Sequence, residues 1–323
     1  MQPRRLGQSD ILLSPIGLGC WQFSQGKSIS GKFWAVLADE SIHAIVKTSL
    51  ENGINWFDTA EAYGDGRSEQ MLAQGLQYAQ APKEKAIIAT KWQPALHFAS
   101  SIINTIDIRL KMLEGYPISL YQIHQPLSFS SIENQMKAMA MLVSQNKIKT
   151  IGVSNFGLVY MRRAHKSLQA QGLNLASNQM RFSLLDRSIE KNGVLDYAKD
   201  NGITIIAYSP LAQGILSGKF NANPELIKKT AGFRKFLPGF KQGKLRRFQP
   251  LFDKLNELAA NYRMTPAQVA LNWAINFHGD TIVAIPGATS TGQADQNARA
   301  MNFSLTRQEL NELGNISREI LNF

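Results

Sequence analysis

Cysteine is almost absent from this sequence, since Cys20 is the only one among 323 residues. A single thiol excludes an internal disulfide framework and any metal site built from several cysteines. The five histidines show neither HxH nor HExxH spacing, so the sequence predicts no metal site. A metal-dependent hydrolase is therefore disfavoured.

Long apolar runs are also missing. No window approaches the roughly 18 apolar residues needed to span a bilayer, and the N-terminal segment lacks the apolar stretch of a secretion signal. The hydrophobic share is 44% and the charged share 18%, which is typical of a globular protein with a large core. We expect a soluble, cytoplasmic protein with no membrane partner.

Acidic residues are scarce relative to basic ones, with 24 against 35 and a net charge of +11. No acid occurs between Glu225 and Asp253, where eight cations lie: Lys228, Lys229, Arg234, Lys235, Lys241, Lys244, Arg246 and Arg247. Such a stretch can bind phosphates of a polynucleotide or a cofactor, or it can be a solvated loop. No nucleic-acid motif accompanies it, so we expect no nucleic-acid partner.

Eight short β-rich runs alternate with longer amphipathic segments. The runs lie at 14–19, 54–58, 86–91, 119–124, 150–154, 175–179, 204–209 and 281–287. Helical spacing of apolar residues marks the segments around 42–50, 71–76 and 103–113, and then 131–146, 157–171, 188–201, 250–262, 265–277 and 306–320. This alternation predicts parallel strands with right-handed helical crossovers, and eight strands favour a closed (β/α)8 barrel. No GxGxxG follows the first strand, so a doubly wound dinucleotide-binding sheet is the weaker alternative. We expect one domain over residues 1–323.

Three additions to the barrel are predicted. Gly7-Gln8-Ser9-Asp10 has the composition of a β-hairpin turn ahead of the first barrel strand. Thr306 and Glu309 have capping-box spacing at the start of an additional C-terminal helix. The Gly- and Lys-rich stretch 211–248 is too long for one crossover, and we expect a mobile loop over the active face.

Polar residues end three successive predicted strands: Asp58, Lys91 and His124. Tyr63 follows in the loop after Asp58. Each has an ordinary structural alternative, such as a helix cap, a packed ring, a surface lysine or a core histidine. Because the carboxyl ends of barrel strands share one face, however, these four side chains are expected to meet.

Together these four groups suit protonation of an oxygen. A free tyrosine titrates near ~10, and a lysine ammonium beside it favours the phenolate and lowers that pKa. An aspartate would keep the lysine charged, and the histidine could orient a substrate oxygen by a hydrogen bond. Nothing in the group can supply electrons, so a reduction would need a cofactor.

The segment FDTAEAYGDGRSE (57–69) resembles the aldo-keto reductase superfamily, as do ATKW (89–92), YQIHQP (121–126), GVSNF (152–156), NQ (178–179), AYSPLAQGILSGK (207–219) and IPGATSTGQADQN (285–297). GLGCW and IPGA are similar to the branch of bacterial general stress reductases and potassium-channel β subunits. The resemblance implies a (β/α)8 barrel that reduces small-molecule aldehydes and ketones with NADP(H), NAD(H) being the alternative. It makes Tyr63 the general acid, tuned by Lys91 and Asp58, and His124 the residue that orients the carbonyl.

The resemblance also assigns cofactor contacts. Those at the nicotinamide are Ser154, Asn155, Gln179 and Tyr208. Those along the pyrophosphate are Ser209, Leu211, Gly214, Ser217 and Lys219. Those at the adenosine are Gly287, Thr289, Gln293, Gln296 and Asn297. Further cofactor contacts are Gly19, Cys20, Trp21 and Ile285. It further implies that Trp21, Trp92 and Gln93 form walls of the substrate pocket.

One departure concerns the 2′-phosphate of NADPH. Family members with strong NADPH selectivity often carry Lys or Arg at positions matching 287, 289 or 293, which here are Gly287, Thr289 and Gln293. We expect NADPH to be preferred nonetheless, with a cation of the 228–247 stretch near the phosphate. A cofactor-binding regulatory subunit with weak redox activity is the alternative function.

Overall fold

The computed structural model describes residues 2–26, 33–228 and 238–322. Within these residues a two-stranded hairpin precedes eight parallel strands. The hairpin is β1 (Arg4–Arg5) and β2 (Leu12–Leu13). The barrel strands are β3 (Leu18–Gly19), β4 (Trp56–Asp58), β5 (Ile87–Trp92), β6 (Ile118–Ile123), β7 (Ile148–Ser154), β8 (Leu175–Arg181), β9 (Thr204–Tyr208) and β10 (Ile282–Ile285). All eight predicted barrel strands are confirmed.

The strands pair in sequence order from β3 to β10, each parallel to the next. Parallel bridges from Ile16 to Ala284 and from Gly19 to Gly287 bring the first and last strands together. The backbone N–H of Gly17 donates to the carbonyl of Ala284 at 2.8 Å across this seam. The predicted (β/α)8 barrel is therefore confirmed.

Helices cover the outside of the barrel. They are α1 (Asp39–Glu51), α2 (Arg67–Tyr78), α3 (Ser100–Met112), α4 (Ile132–Ser144), α5 (Leu158–Gln169), α6 (Val194–Asp200), α7 (Lys219–Ala222), α8 (Gln242–Arg247), α9 (Gln249–Tyr262), α10 (Pro266–Asn276), α11 (Thr291–Arg299) and α12 (Arg307–Leu321). Thr306 and Glu309 form the expected capping box of α12. Thr265 and Gln268 form a second at α10, with Pro266 in its first turn.

The N-terminal hairpin closes the barrel at the end opposite the carboxyl ends of the strands. Leu6 and Leu13 are buried with Trp56, Ala89 and Leu120 inside the barrel. Gly7, at a φ of 56°, brings its backbone against Ala176, whose carbonyl oxygen would lie 2.6 Å from an added Cβ. Glycine is required there both for the backbone conformation and for the close approach. The predicted hairpin turn at 7–10 is confirmed.

The structure corrects one predicted helix and one predicted loop, and it adds a helix that was not predicted. The segment 188–201 is a 3₁₀ turn, Ser188–Glu190, followed by the short α6, because Gly193 has a φ of 77° and interrupts the helix. Helix α11 was not predicted, although Ser290 caps it by accepting from the N–H of Gln293. In the 211–248 stretch, 3₁₀ turns at Ala212–Ser217, Pro224–Ile227 and Pro238–Phe240 accompany α7 and α8, so these parts are not an irregular loop. Its residues 229–237 lie outside the described residues, and mobility of the stretch stays a prediction.

Candidate active site

Asp58 and Lys91 form a buried ion pair at the carboxyl ends of β4 and β5. Lys91 Nζ lies 2.5 Å from Asp58 Oδ1, and it also donates to the carbonyl of Thr59 at 2.7 Å. Both residues are at most 1% exposed. Burial alone would lower the pKa of Lys91, but Asp58 and then Tyr63 outweigh burial and raise it. The ammonium therefore stays charged inside the barrel mouth.

Tyr63 lies above this pair, in the turn between β4 and α2. Its hydroxyl accepts a hydrogen bond from Lys91 Nζ at 3.3 Å, and Nζ is 4.8 Å from the centroid of the ring. Burial of the phenol raises its pKa, and the opposing effect of Lys91 does not overcome it. Lys91 thus acts in the expected direction, but the net pKa of Tyr63 is raised, because desolvation of the phenolate exceeds its attraction to the ammonium. Tyr63 is thus protonated at neutral pH.

His124 faces Tyr63, with ring centroids 5.6 Å apart and planes at 79°. Its Nδ1 is buried and has no hydrogen-bond partner among the described residues. Burial, and then the positive charge of Lys91, lowers the pKa of His124 to about 3. The imidazole is therefore neutral at physiological pH and carries one N–H to donate. Strand β6 ends at Ile123, so His124, which was predicted as the last residue of the strand, follows it directly.

The second carboxylate oxygen of Asp58 accepts hydrogen bonds from two side-chain amides. Gln179 Nε2 donates to Oδ2 at 2.7 Å and Gln122 Nε2 donates to it at 3.1 Å. Sequence reasoning missed Gln122, although residues 122 and 124 fall on the same side of a β-strand. Gln179 is thus bound to Asp58, and its expected contact with the nicotinamide stays a prediction. Both amides fix the carboxylate that holds Lys91.

Ser154, Asn155 and Tyr208 join the ends of β7 and β9 beside the histidine. The Tyr208 hydroxyl donates to Asn155 Oδ1 at 2.9 Å. Asn155 Nδ2 donates to Ser154 Oγ at 3.0 Å and lies 3.3 Å from the carbonyl oxygen of His124. The structure thus places these three predicted cofactor residues next to the catalytic group.

The two tryptophans predicted as pocket walls occupy different layers. Trp21 stacks on Tyr63, with centroids 5.9 Å apart and planes at 23°, and it also stacks on Phe33. Trp92 is 1% exposed, and its Nε1 donates to Ser101 Oγ of α3 at 2.9 Å. Adjacent residues of a strand point to opposite faces, so Trp92 faces the helices while Lys91 faces the barrel. This placement contradicts the expectation that Trp92 lines the substrate pocket.

Other predicted contacts surround the same opening. Gly19 pairs with Asp58 in the sheet, and the backbone N–H of buried Cys20 donates to the carbonyl of Asp58 at 2.8 Å. The backbone N–H of Gln93 donates to Glu61 Oε2 at 3.1 Å, which joins the loop after β5 to the Tyr63 turn. These contacts bring the first three barrel strands to one rim.

The segment after β9 curls beside an open cavity. Gln213 Nε2 donates to Ser209 Oγ at 2.9 Å, and Ser217 Oγ donates to the carbonyl of Gly214 at 2.7 Å. Leu211 packs partly buried against the core. Ser217 and Lys219 line a cavity of about 500 Å³ together with Gln249 and Asn256. Two of the predicted pyrophosphate contacts, Ser217 and Lys219, therefore lie at the edge of this cavity.

At the predicted adenosine end, the side chains bind one another. Gln293 Oε1 accepts from the backbone N–H of Thr289 at 2.8 Å and from Thr289 Oγ1 at 3.1 Å. Asn297 Nδ2 donates to the carbonyl of Gly287 at 3.3 Å. Ile285 is the last residue of β10, and Gln296 lies in α11. Neither Thr289 nor Gln293 supplies a positive charge.

Part of the basic stretch is engaged elsewhere. Lys228 pairs with Glu225 at 2.8 Å, and Arg247 donates to Asn322 Oδ1 at 2.5 Å. Lys229, Arg234 and Lys235 lie outside the described residues. Which cation approaches a 2′-phosphate stays a prediction.

The described residues contain no group of three or more His, Cys, Asp or Glu side chains that could hold a metal ion. Over the same ranges, no helix has both the length and the apolar character required to cross a membrane.

Comparison with known proteins agrees with this geometry. The model of the aldo/keto reductase family matches residues 15–318. The chain belongs to the aldo/keto reductase family. An uncharacterised oxidoreductase of Mycobacterium bovis is 36% identical over 306 residues, covering 95% of this chain and 90% of that protein. The chloroplastic pyridoxal reductase of Arabidopsis thaliana is 28% identical and covers 98% of this chain and 86% of its own length.

Among solved structures, the glycerol dehydrogenase of Gluconobacter oxydans superposes on this aldo/keto reductase with a TM-score of 0.85. The two are 27% identical, and the match covers 100% of this chain and 97% of that one. The barrel, with its hairpin and helices, is thus the family's fold over the whole length compared.

Proposed function

We propose that this aldo/keto reductase reduces aldehydes and ketones to alcohols with NADPH, and that Tyr63 donates the proton. The observation that carries the proposal is the position of Lys91 Nζ between Asp58 Oδ1, at 2.5 Å, and the Tyr63 hydroxyl, at 3.3 Å. A buried ammonium at that place stabilises the phenolate that forms when the proton leaves.

Each member of the group has a separate task. Tyr63, protonated in the resting site, gives its proton to the developing alkoxide of the product. Asp58 keeps Lys91 charged and fixed, and the two glutamine amides orient Asp58. Neutral His124 donates a hydrogen bond to the substrate oxygen and directs it toward Tyr63. The nicotinamide, when bound, supplies the hydride.

Observations on the structure fit a dinucleotide across the barrel mouth. Ser154 and Asn155 present hydroxyl and amide groups suited to a carboxamide, and Asn155 Nδ2 lies 3.3 Å from the carbonyl oxygen of His124. Lys219 brings a positive charge to the cavity of about 500 Å³. The N-terminus of α11, capped by Ser290, presents the positive end of a helix dipole near the adenosine positions. These groups are the ones we assign to NADPH.

The substrate class follows from the surface beside the site. Leu96 and Phe98, after β5, and Leu127 and Phe129, after β6, are all at least 59% exposed. The rings of Phe98 and Phe129 lie 5.2 Å apart. Together with Trp21, which stacks on Tyr63, these residues favour carbonyl compounds with apolar or flat bodies.

The test is NADPH oxidation with a panel of aldehydes by the wild type and by Tyr63→Phe. We expect turnover in the wild type and a loss of about 10²–10⁴-fold in kcat in the variant. Equal turnover would remove Tyr63 as the proton donor. Tight NADPH binding without turnover of any carbonyl would favour the regulatory subunit instead.

A further inference from the structure

The turn that carries Tyr63 is held by backbone contacts on both sides. The N–H of Gly66 donates to the carbonyl of Glu61 at 2.9 Å, and the N–H of Ser68 donates to the carbonyl of Tyr63 at 3.1 Å. Gly64 has a φ of 68° and lies close to Ser24: a Cβ added to Gly64 would be 2.3 Å from the carbonyl oxygen of Ser24. The position of the phenol thus depends on what lies beneath residues 61–68.

A second buried ion pair lies there, apart from Asp58 and Lys91. Glu69, in the first turn of α2, is fully buried, and its Oε2 is 2.9 Å from Arg109 of α3. Its other oxygen accepts from Thr90 Oγ1 at 2.5 Å. Both terminal nitrogens of Arg109 lie 3.4 Å from the place a Cβ would take on Gly66. The guanidinium therefore packs directly against the turn.

This arrangement connects Tyr63 with Lys91. Glu69 lies in the first turn of the helix that follows Tyr63, and Thr90 immediately precedes Lys91 on β5. A shift of Glu69 is therefore transmitted to the phenol through the turn and to the ammonium through the strand. A buried ion pair adds little to stability compared with apolar packing, so stability alone does not account for this one.

We propose that Glu69 and Arg109 are positioning residues that set the distance between the Tyr63 hydroxyl and Lys91. The inference rests on the proposed reductase function. It concerns residues that touch neither substrate nor cofactor and act only through the Tyr63 turn and β5.

The ion pair of Glu69 and Arg109 should make the kcat of reduction depend on pH. Burial raises the pKa of Glu69 to about 7, against the lowering effects of Arg109, Thr90 and Lys91, while Glu61 raises it further. The buried Tyr121 hydroxyl faces the same charges. As the pH falls through about 7, Glu69 takes up a proton and Arg109 loses its partner. The kcat of reduction should therefore fall on the acid side.

The first experiment compares Glu69→Gln with the wild type. A displacement of the acid by about 1 Å can reduce the rate about 100-fold, so we expect kcat to fall by up to that factor. The KM for the carbonyl and the NADPH Kd, measured by fluorescence, should not change. The acid-side decrease of kcat near pH 7 should be absent in the variant. Unchanged kcat and pH profile would overturn the proposal.

A matched control separates positioning from stability. Arg187 and Glu190 form another buried ion pair, 2.8 Å apart, which binds the carbonyl of Gly314 in α12. Glu190→Gln should lower the unfolding midpoint as Glu69→Gln does but leave kcat unchanged. The double variant Glu69→Met/Arg109→Met should recover stability without recovering kcat. Recovery of both would show that the ion pair is merely structural.

A readout independent of turnover is the ultraviolet titration of tyrosinate, taken as a difference from Tyr63→Phe. Because burial raises the pKa of Tyr63, loosening of its turn in Glu69→Gln should bring that pKa back toward its ordinary value. No change in the titration would refute the inference. If the wild type reduces no carbonyl compound, the proposed function fails, while this titration still tests the inference.

Discussion

Replacing Lys91 by methionine tests the electrostatics of the site directly. Methionine keeps an unbranched apolar side chain but removes the ammonium that contacts Asp58, Thr59 and Tyr63. Asp58, 1% exposed, would keep only its two amide donors. Removing one partner of a buried ion pair costs about 3–5 kcal/mol, because the other charge stays buried without compensation.

The measurements are urea unfolding and NADPH-dependent turnover. We expect Lys91→Met to lower the free energy of unfolding by about 3–5 kcal/mol. We expect kcat to fall by about 10²–10⁴-fold, since the phenolate loses its stabilising cation. The double variant Asp58→Asn/Lys91→Met removes the uncompensated charge and should regain much of the stability but none of the turnover.

Two results would refute this reasoning. If Lys91→Met unfolds at the wild-type denaturant concentration, Asp58 does not depend on Lys91 for compensation. If the double variant regains turnover, packing around the pair matters for the reaction and its charge does not.

Three further predictions concern the rest of the site. The pKa of His124 is lowered to about 3, so at intermediate pH the unfolded chain binds a proton that the folded chain excludes. The free energy of unfolding should therefore rise with pH from about 3 to 6.5. His124→Gln should flatten this rise in urea unfolding, and equal slopes of unfolding free energy against pH in the two proteins would contradict the prediction. The wild type should have a higher kcat/KM with NADPH than with NADH, and Thr289→Arg should raise that ratio about tenfold or more by one charge-assisted hydrogen bond; an unchanged ratio would place the 2′-phosphate elsewhere. Trp21→Ala should raise the KM for aryl aldehydes, whereas Trp92→Phe should lower stability and leave that KM unchanged; the reverse result would restore Trp92 as a pocket wall.

The barrel could be predicted because its signals are local and repeated. Each β-rich run of five to seven residues is followed by a helical period, and this pattern recurs at intervals of about 25 to 33 residues along most of the chain. The same pattern is enough to place Asp58, Lys91 and His124 at one rim. Helix α11 was missed because its sequence, Thr291–Arg299, has few apolar residues to show a period.

The directions of the pKa shifts could not be predicted in the same way. The sequence places a lysine near a tyrosine, but it does not tell how deeply the phenol is buried, and burial decides the sign at Tyr63. The amide of Gln122 and the pair of Glu69 and Arg109 were also missed. Their function depends on contacts across 64 and 40 residues of sequence, which no local pattern contains.

Burial keeps both neighbours of Lys91 uncharged. Burial, and then Lys91, lowers the pKa of His124, so the imidazole remains a neutral donor; at Tyr63 burial outweighs Lys91 and raises the pKa, so the phenol keeps its proton. In the proposed reaction, both groups that face the carbonyl are therefore uncharged beforehand and each carries a proton. Charge would appear on Tyr63 only as its proton moves to the product oxygen, with the ammonium 3.3 Å away. The attraction is then stronger in the transition state than in the bound substrate complex, and only such a difference accelerates the chemical step. A raised resting pKa at Tyr63 is thus consistent with its proposed role as the acid.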